Sequence, residues 1–191
     1  MVNDLEPLQN QQIILVTGPT RSGKSEWAET LAEKSKKPVI YVATALENTQ
    51  DQEWLERITL HRERRPPHWE TLWVPYNLSV ILETVTPPHC LLIDSIGTWV
   101  ANCLEQDGLT WMQTMAQFLD CLETTPVDVI LVAEETGWGV IPAYPLGRTF
   151  RDRLGNLTRH LGVIANLVYL VTGGHALNLS LLGEPLTKEQ L

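Results

Sequence analysis

Five short apolar runs punctuate the chain, and between them apolar residues recur at the three- and four-residue spacing of helices. The runs are Ile13 to Thr17, Val39 to Ala43, Cys90 to Asp94, Val127 to Ala133 and Leu167 to Val171. Each is strand length, aliphatic and free of polar alternation, the pattern of a parallel strand covered on both faces. After the first run, Trp27, Ala28, Leu31 and Ala32 keep helical register from near Glu26, and the segment closes on Lys34, Lys36 and Lys37 ahead of Pro38. That basic ending suits the negative end of a helix dipole. Trp54, Leu55, Ile58 and Leu60 predict a helix over Asp51 to Arg65 that stops before Pro66-Pro67. Further helices are expected over Leu78 to Thr84, Thr98 to Glu105, Trp111 to Leu122 and about Leu146 to Leu161, with Gly108 breaking the second from the third. His68 to Trp73 is read as an irregular or short extended link.

Strands that alternate with helices predict a doubly wound α/β domain with a mostly parallel sheet and helices on both faces. The expected organisation is a flexible lead-in over 1–11, one catalytic domain over 12–183 and a polar tail over 184–191. Composition agrees: 191 residues and 21.5 kDa suffice for one domain with its own core, and 43% hydrophobic with 19% charged residues is ordinary for a globular protein. No apolar stretch is long enough for a membrane span, and the first residues lack the basic-then-apolar pattern of a signal peptide, so a cytoplasmic location is expected. A formal net charge of -9 argues against a nucleic-acid or anionic-membrane partner, so any phosphate binding must be local. Cys90, Cys103 and Cys121 have no metal-ligand spacing and sit beside aliphatic residues, as buried thiols do.

The candidate chemistry begins between the first strand and the first helix, at Gly18, Pro19, Thr20, Arg21, Ser22, Gly23, Lys24 and Ser25. Glycines at both ends let the backbone curl so that its N–H groups point inward at an anion, which makes the segment a P-loop. Lys24 can carry positive charge to the β and γ phosphates, and the Ser25 hydroxyl can ligate Mg²⁺. Asp94 ends a buried strand in the manner of a Walker B carboxylate, a second holder for the metal. Glu134 and Glu135 end the next strand; Glu135 is the candidate to help with the metal or to accept a proton from a substrate hydroxyl, and spacing scarcely separates it from Glu134. In open parallel sheets the ligand lies beyond the carboxyl ends of the strands, which places Thr44 and its neighbours at the same crevice. Arg57, His61 and Arg65 are four apart, stacked along one side of their helix, with Arg62 and Arg64 nearby. A neutral imidazole so placed could attack phosphorus, but spacing alone favours a solvated or core-edge histidine. His68, His89, His160 and His175 carry only the second reading.

Five ordered blocks go further than any one motif. They are the P-loop with Thr20-Arg21-Ser22, the strand end Tyr41-Val42-Ala43-Thr44, the run Arg57-Ile58-x-x-His61-x-x-x-Arg65-Pro66-x-x-Trp69-x-Thr71, the loop Glu135-x-Gly137-x-Gly139-x-x-Pro142 and Arg148-x-Phe150-Arg151-Asp152-x-x-Gly155, within a match that runs from about residue 13 to 175. The set resembles the bifunctional adenosylcobinamide kinase/adenosylcobinamide-phosphate guanylyltransferase family of cobalamin biosynthesis. The resemblance implies a RecA-like P-loop fold and two reactions. ATP or GTP phosphorylates a hydroxyl of adenosylcobinamide; then GTP transfers GMP, through a guanylylated His61, to adenosylcobinamide phosphate. It further implies that Gly18 to Ser25 hold phosphates, that Ala43, Thr44 and Ala45 and the run Arg62, Glu63, Arg64, Arg65 contact the guanine nucleotide, that Asp94 is the acidic strand-end residue, and that the chain forms a homotrimer. Three positions depart from the family pattern: Trp73 stands for a usual Glu, Leu60 for a second histidine of some members, and Thr158-Arg159 for a common Asn-Gln pair. Two other classes fit the P-loop without His61 chemistry: another small-molecule P-loop kinase, and a RecA-like nucleotide-driven switch.

Overall fold

The computed structural model describes residues 11–46 and 52–190; the side chains of Glu53, Trp54, Leu55, Arg57, Leu60, His61 and Lys188 lie outside the described part. Most of the lead-in expected over 1–11 also falls outside it. Among the described residues, seven strands form one sheet in the order β3-β2-β4-β5-β1-β6-β7. The five predicted runs are β1 (Ile13–Gly18), β2 (Val39–Ala43), β4 (Cys90–Asp94), β5 (Asp128–Glu134) and β6 (Leu167–Thr172). These and the edge strand β3 (Glu70–Trp73) all pair in parallel.

The two-residue period of a strand divides each run between two cores. Leu15, Val42, Leu91, Ile93, Val129 and Leu131 face one way, onto α3 (Leu78–Thr84), α4 (Ile96–Asn102), α5 (Gly108–Thr124) and α6 (Pro145–Ile164), through Leu82, Trp99, Phe118 and Leu157. Val16, Tyr41, Leu92, Ile130 and Val132 face the other way, onto Ala28 and Ala32 of α1 (Lys24–Lys34). Helices thus cover both faces, which is why the strands read as unbroken apolar runs. All three cysteines are buried and free of disulfides, and burial pushes the Cys90 thiol up to about 12.

Differences from the sequence reading lie at the margins. Of the two forms expected for His68 to Trp73, its second half takes the short extended one and pairs with β2 as β3, whose mixed exposure leaves little pattern. Strand β7 (His175–Asn178) has no counterpart among the predicted runs; it folds back antiparallel on β6 through Gly173 and Gly174, whose φ values of 57° and 75° suit a two-residue hairpin. Gly108 starts α5, with the Asp107 side chain accepting the Thr110 N–H as its cap. Helix α2 (Gln52–Arg64) ends before the prolines as expected, and a short α7 (Leu179–Leu182) follows β7.

Candidate active site

Parallel register brings the carboxyl ends of four strands to one edge. Gly18 lies opposite Glu134, Ala43 opposite Asp94, and Asp94 opposite Val132. A cavity of about 560 Å³ opens there, lined by Thr20, Lys24 and Ser25 of the P-loop, Ala43 and Ala45 beyond β2, Asp94, Glu134, and Ile58, Arg62 and Arg65 of α2 and the residue beyond it.

The loop from β1 to α1 has its shape because two positions tolerate no side chain. A Cβ at Gly18 would press on the Val171 carbonyl, and Gly23 holds φ 92°, the left-handed region. Pro19 accepts the Ser22 N–H at 3.3 Å, and Gly23 accepts the Trp27 N–H at 2.9 Å to open α1. Lys24 and Ser25 are both buried at the cavity wall, and the Lys24 Nζ donates to the Pro19 carbonyl at 3.4 Å. A buried ammonium on so long a contact is suited to an incoming anion.

Opposite the loop, the Tyr41 hydroxyl donates to Asp94 Oδ2 at 2.9 Å, and the Arg65 guanidinium lies 3.4 Å from the centre of the Tyr41 ring. Burial, then the Asp94 charge, push the Tyr41 hydroxyl well above its ordinary value, so it remains a donor. The buried Arg65 Nε has no hydrogen-bond partner among the described residues. Ser25 and Asp94 offer one hydroxyl and one carboxylate across the same cavity, the sparse protein donor set that suits Mg²⁺ carried by phosphates and waters. Among the described residues there is no cluster of three or more His, Cys, Asp or Glu fit to hold a metal by itself.

The two glutamates part company. Glu134 lines the cavity, its Oε2 accepting the Gly97 N–H at 2.9 Å; burial raises its carboxyl above the ordinary value, with the Ser95 hydroxyl and the Lys24 charge pulling it back. Glu135 is tied elsewhere: its Oε1 accepts the Thr17 hydroxyl at 2.7 Å. Sequence reasoning favoured the second, although Glu134 is in phase with Ile130 and Val132 on the α1 face.

Thr44 also turns from the cavity. It is fully buried, donating to the Ser95 carbonyl at 2.8 Å and accepting the Ser95 N–H at 2.9 Å, so it staples the end of β2 to the end of β4. Arg62 is exposed at the cavity, Glu63 is exposed and outside its lining, and Arg64 reaches Glu26 and Glu29 of α1. His61 lies on α2 one turn before Arg64, and its side chain is outside the described part. Trp73, at the end of β3, is half-exposed and lines the cavity.

Solved structures share the fold at low identity. A Pyrococcus horikoshii OT3 protein from a structural project aligns with a TM-score of 0.53 at 7% identity, over 94% of this chain and 88% of its own. A type III secretion system ATPase of pathogenic bacteria gives 0.53 at 13% identity, over 94% and 60%. With its P-loop, strand-end carboxylate and sheet order, the chain is of the RecA-like P-loop nucleotide-binding class.

The family is narrower than the class. Residues 14–179 match the model of the cobinamide kinase / cobinamide phosphate guanyltransferase family, and the chain belongs to it. It is 38% identical over 174 residues to the bifunctional adenosylcobalamin biosynthesis protein CobP of Pseudomonas aeruginosa, covering 90% of this chain and 98% of that one. The corresponding protein CobU of Escherichia coli is 35% identical over 177 residues, covering 85% and 96%.

Proposed function

We propose that the protein phosphorylates adenosylcobinamide and then guanylylates the phosphate it has made, holding both nucleotides in the cavity between the P-loop and α2. One observation carries the reading: Lys24, Ser25, Asp94, Arg62 and Arg65 line a single cavity, at the foot of a helix that bears His61.

In the first reaction the adenosylcobinamide hydroxyl attacks the γ-phosphorus of ATP or GTP. The bond from γ-phosphorus to the bridging oxygen breaks, the nucleoside diphosphate leaves, and Glu134, raised by burial and facing the cavity, takes the hydroxyl proton. Lys24 stabilises the charge that gathers on the phosphate oxygens. Mg²⁺ held by Ser25 and Asp94 would supply further charge neutralisation there. In the second reaction a neutral His61 nitrogen attacks the α-phosphorus of GTP and pyrophosphate leaves. An oxygen of adenosylcobinamide phosphate then attacks that α-phosphorus, the P–N bond breaks, and adenosylcobinamide-GDP forms. The covalent intermediate divides one hard displacement into two easier ones. Arg62 and Arg65 are suited to the phosphate oxygens throughout.

We also assign a cytoplasmic location and a homotrimer. Exposed Trp138, Val140, Ile141 and Tyr144 in the loop before α6, with Leu181 and Leu182 on α7, are apolar surface that association would cover.

Incubation with GTP labelled at the α-phosphate tests the reading. Acid-labile, base-stable label should appear on His61, and His61→Ala should lose it while still phosphorylating adenosylcobinamide. No label on the wild-type protein, with the kinase intact in both, reduces the protein to a P-loop kinase.

A further inference from the structure

We propose that Arg64 is a positioning residue for guanylylation, a strap that ties the last turn of α2 to the first turns of α1 and so sets the distance from His61 to the triphosphate. The proposal rests on the reading of His61 given above.

Its geometry is a two-armed fork. Arg64 Nε donates to Glu29 Oε2 at 2.8 Å and Nη2 to Glu29 Oε1 at 2.7 Å, while Nη1 donates to Glu26 Oε1 at 2.6 Å. Glu26 and Glu29 are three apart, hence on one face of α1, in the two turns that follow Lys24 and Ser25. Arg64 comes three residues after His61, about 4.5 Å along the axis. His61 and the P-loop are therefore joined by one helical turn, one arginine and one helical turn.

The strap's two arms differ in shelter. The Glu29 side chain is 11% exposed and that of Glu26 57%, so water and salt weaken the second far more than the first. Burial pushes the Glu29 carboxyl up and the Arg64 guanidinium pulls it back towards the charged form. Arg64 is not among the residues that line the cavity, whereas Arg62 and Arg65 on either side of it are. Lysine could not replace it fully, because only a planar fork spans one carboxylate and reaches a second.

Single-turnover labelling of His61 from α-labelled GTP separates a strap from a ligand. Both Arg64→Ala and Glu29→Gln should slow labelling by about 10- to 100-fold, the effect of misplacing reacting atoms by about an ångström. The double variant should be no slower than the slower single, because the two residues act as one unit. GTP affinity and kinase rate should stay within about threefold, Arg64→Lys should recover part of the loss, and amide hydrogen exchange over the last turn of α2 should quicken in both variants. A tenfold or greater loss of GTP affinity in Arg64→Ala, with normal labelling in Glu29→Gln, overturns the strap and makes Arg64 a nucleotide ligand. Normal labelling and exchange in both variants overturns it outright. Absence of label in the wild-type protein is a different failure and overturns the reading of His61. Should Arg64→Ala not fold, Glu29→Gln alone decides: slowed labelling with quickened exchange upholds the strap, and normal values of both overturn it.

Discussion

The two walls of the cavity are held by different forces. On the P-loop side, β1 lies between β5 and β6, and α1 sinks Ala28 and Ala32 into the core beneath. Burial of apolar side chains, at about 1.5–3 kcal/mol for each large one, fixes that wall. On the α2 side, Arg62 and Glu63 are exposed, and among the described side chains the helix end is held by ionic and aromatic contacts: Arg64 on two carboxylates and Arg65 over Tyr41. The exposed Glu26 arm is worth about 0–1 kcal/mol, so among the described contacts this wall leans on the sheltered Glu29 arm and on Tyr41. The contrast matches the proposed division of work: the P-loop wall grips the triphosphate in both reactions, and the α2 wall presents the group that reacts with the α-phosphorus.

Removing the grip should therefore have the largest consequence. Lys24→Ala is expected to lower both the kinase rate and His61 labelling by about a thousandfold, since the buried charge that the loop offers to the phosphates is gone. Thermal melting serves as the check on folding. Retention of either activity near the wild-type rate would remove the P-loop wall from that reaction and erase the contrast between the walls.

The next test divides the reactions. Glu134→Gln keeps size and shape but cannot accept a proton, so the kinase should fall by about a hundredfold while labelling of His61 changes by less than about threefold. Glu135→Gln, whose side chain can still accept the Thr17 hydroxyl, should leave both activities within about threefold. The opposite ranking in a kinase assay would return the role to Glu135.

How much of this is legible in the sequence follows from which physics each feature uses. Buried parallel strands announce themselves as apolar runs, and the P-loop is local in sequence, so β1, β2, β4, β5, β6 and the phosphate cradle can be read directly. Strand β3 sits at the edge with two exposed and two half-buried residues, and its four residues carry too little pattern. The Gly173-Gly174 pair is the one local signal for the hairpin of β7, and the strand it introduces is too short to confirm it by alternation. Inside the site, the roles of Glu134, Thr44 and Arg64 depend on partners 37, 51 and 35 residues away, which no spacing rule supplies.

Thr44 offers the smallest effect on activity and the sharpest check on that last point. The family resemblance sets it beside the nucleotide with Ala43 and Ala45, whereas its hydroxyl is committed to both backbone groups of Ser95. Thr44→Val keeps the branched shape and strips those bonds, leaving the buried Ser95 N–H unpaired while the Ser95 carbonyl keeps the Trp99 N–H. That should cost about 1–3 kcal/mol of stability, or several degrees of melting temperature in a protein of this size. Because Thr44 is not among the residues that line the cavity, the KM for GTP should move by less than about threefold at temperatures where the variant is folded. An unchanged melting temperature with a tenfold rise in KM would put the hydroxyl on the nucleotide and the staple elsewhere. The expected pairing, a softer fold with a normal KM, would show that buried hydrogen bonds lock the ends of β2 and β4 together, where apolar packing fixes the P-loop wall.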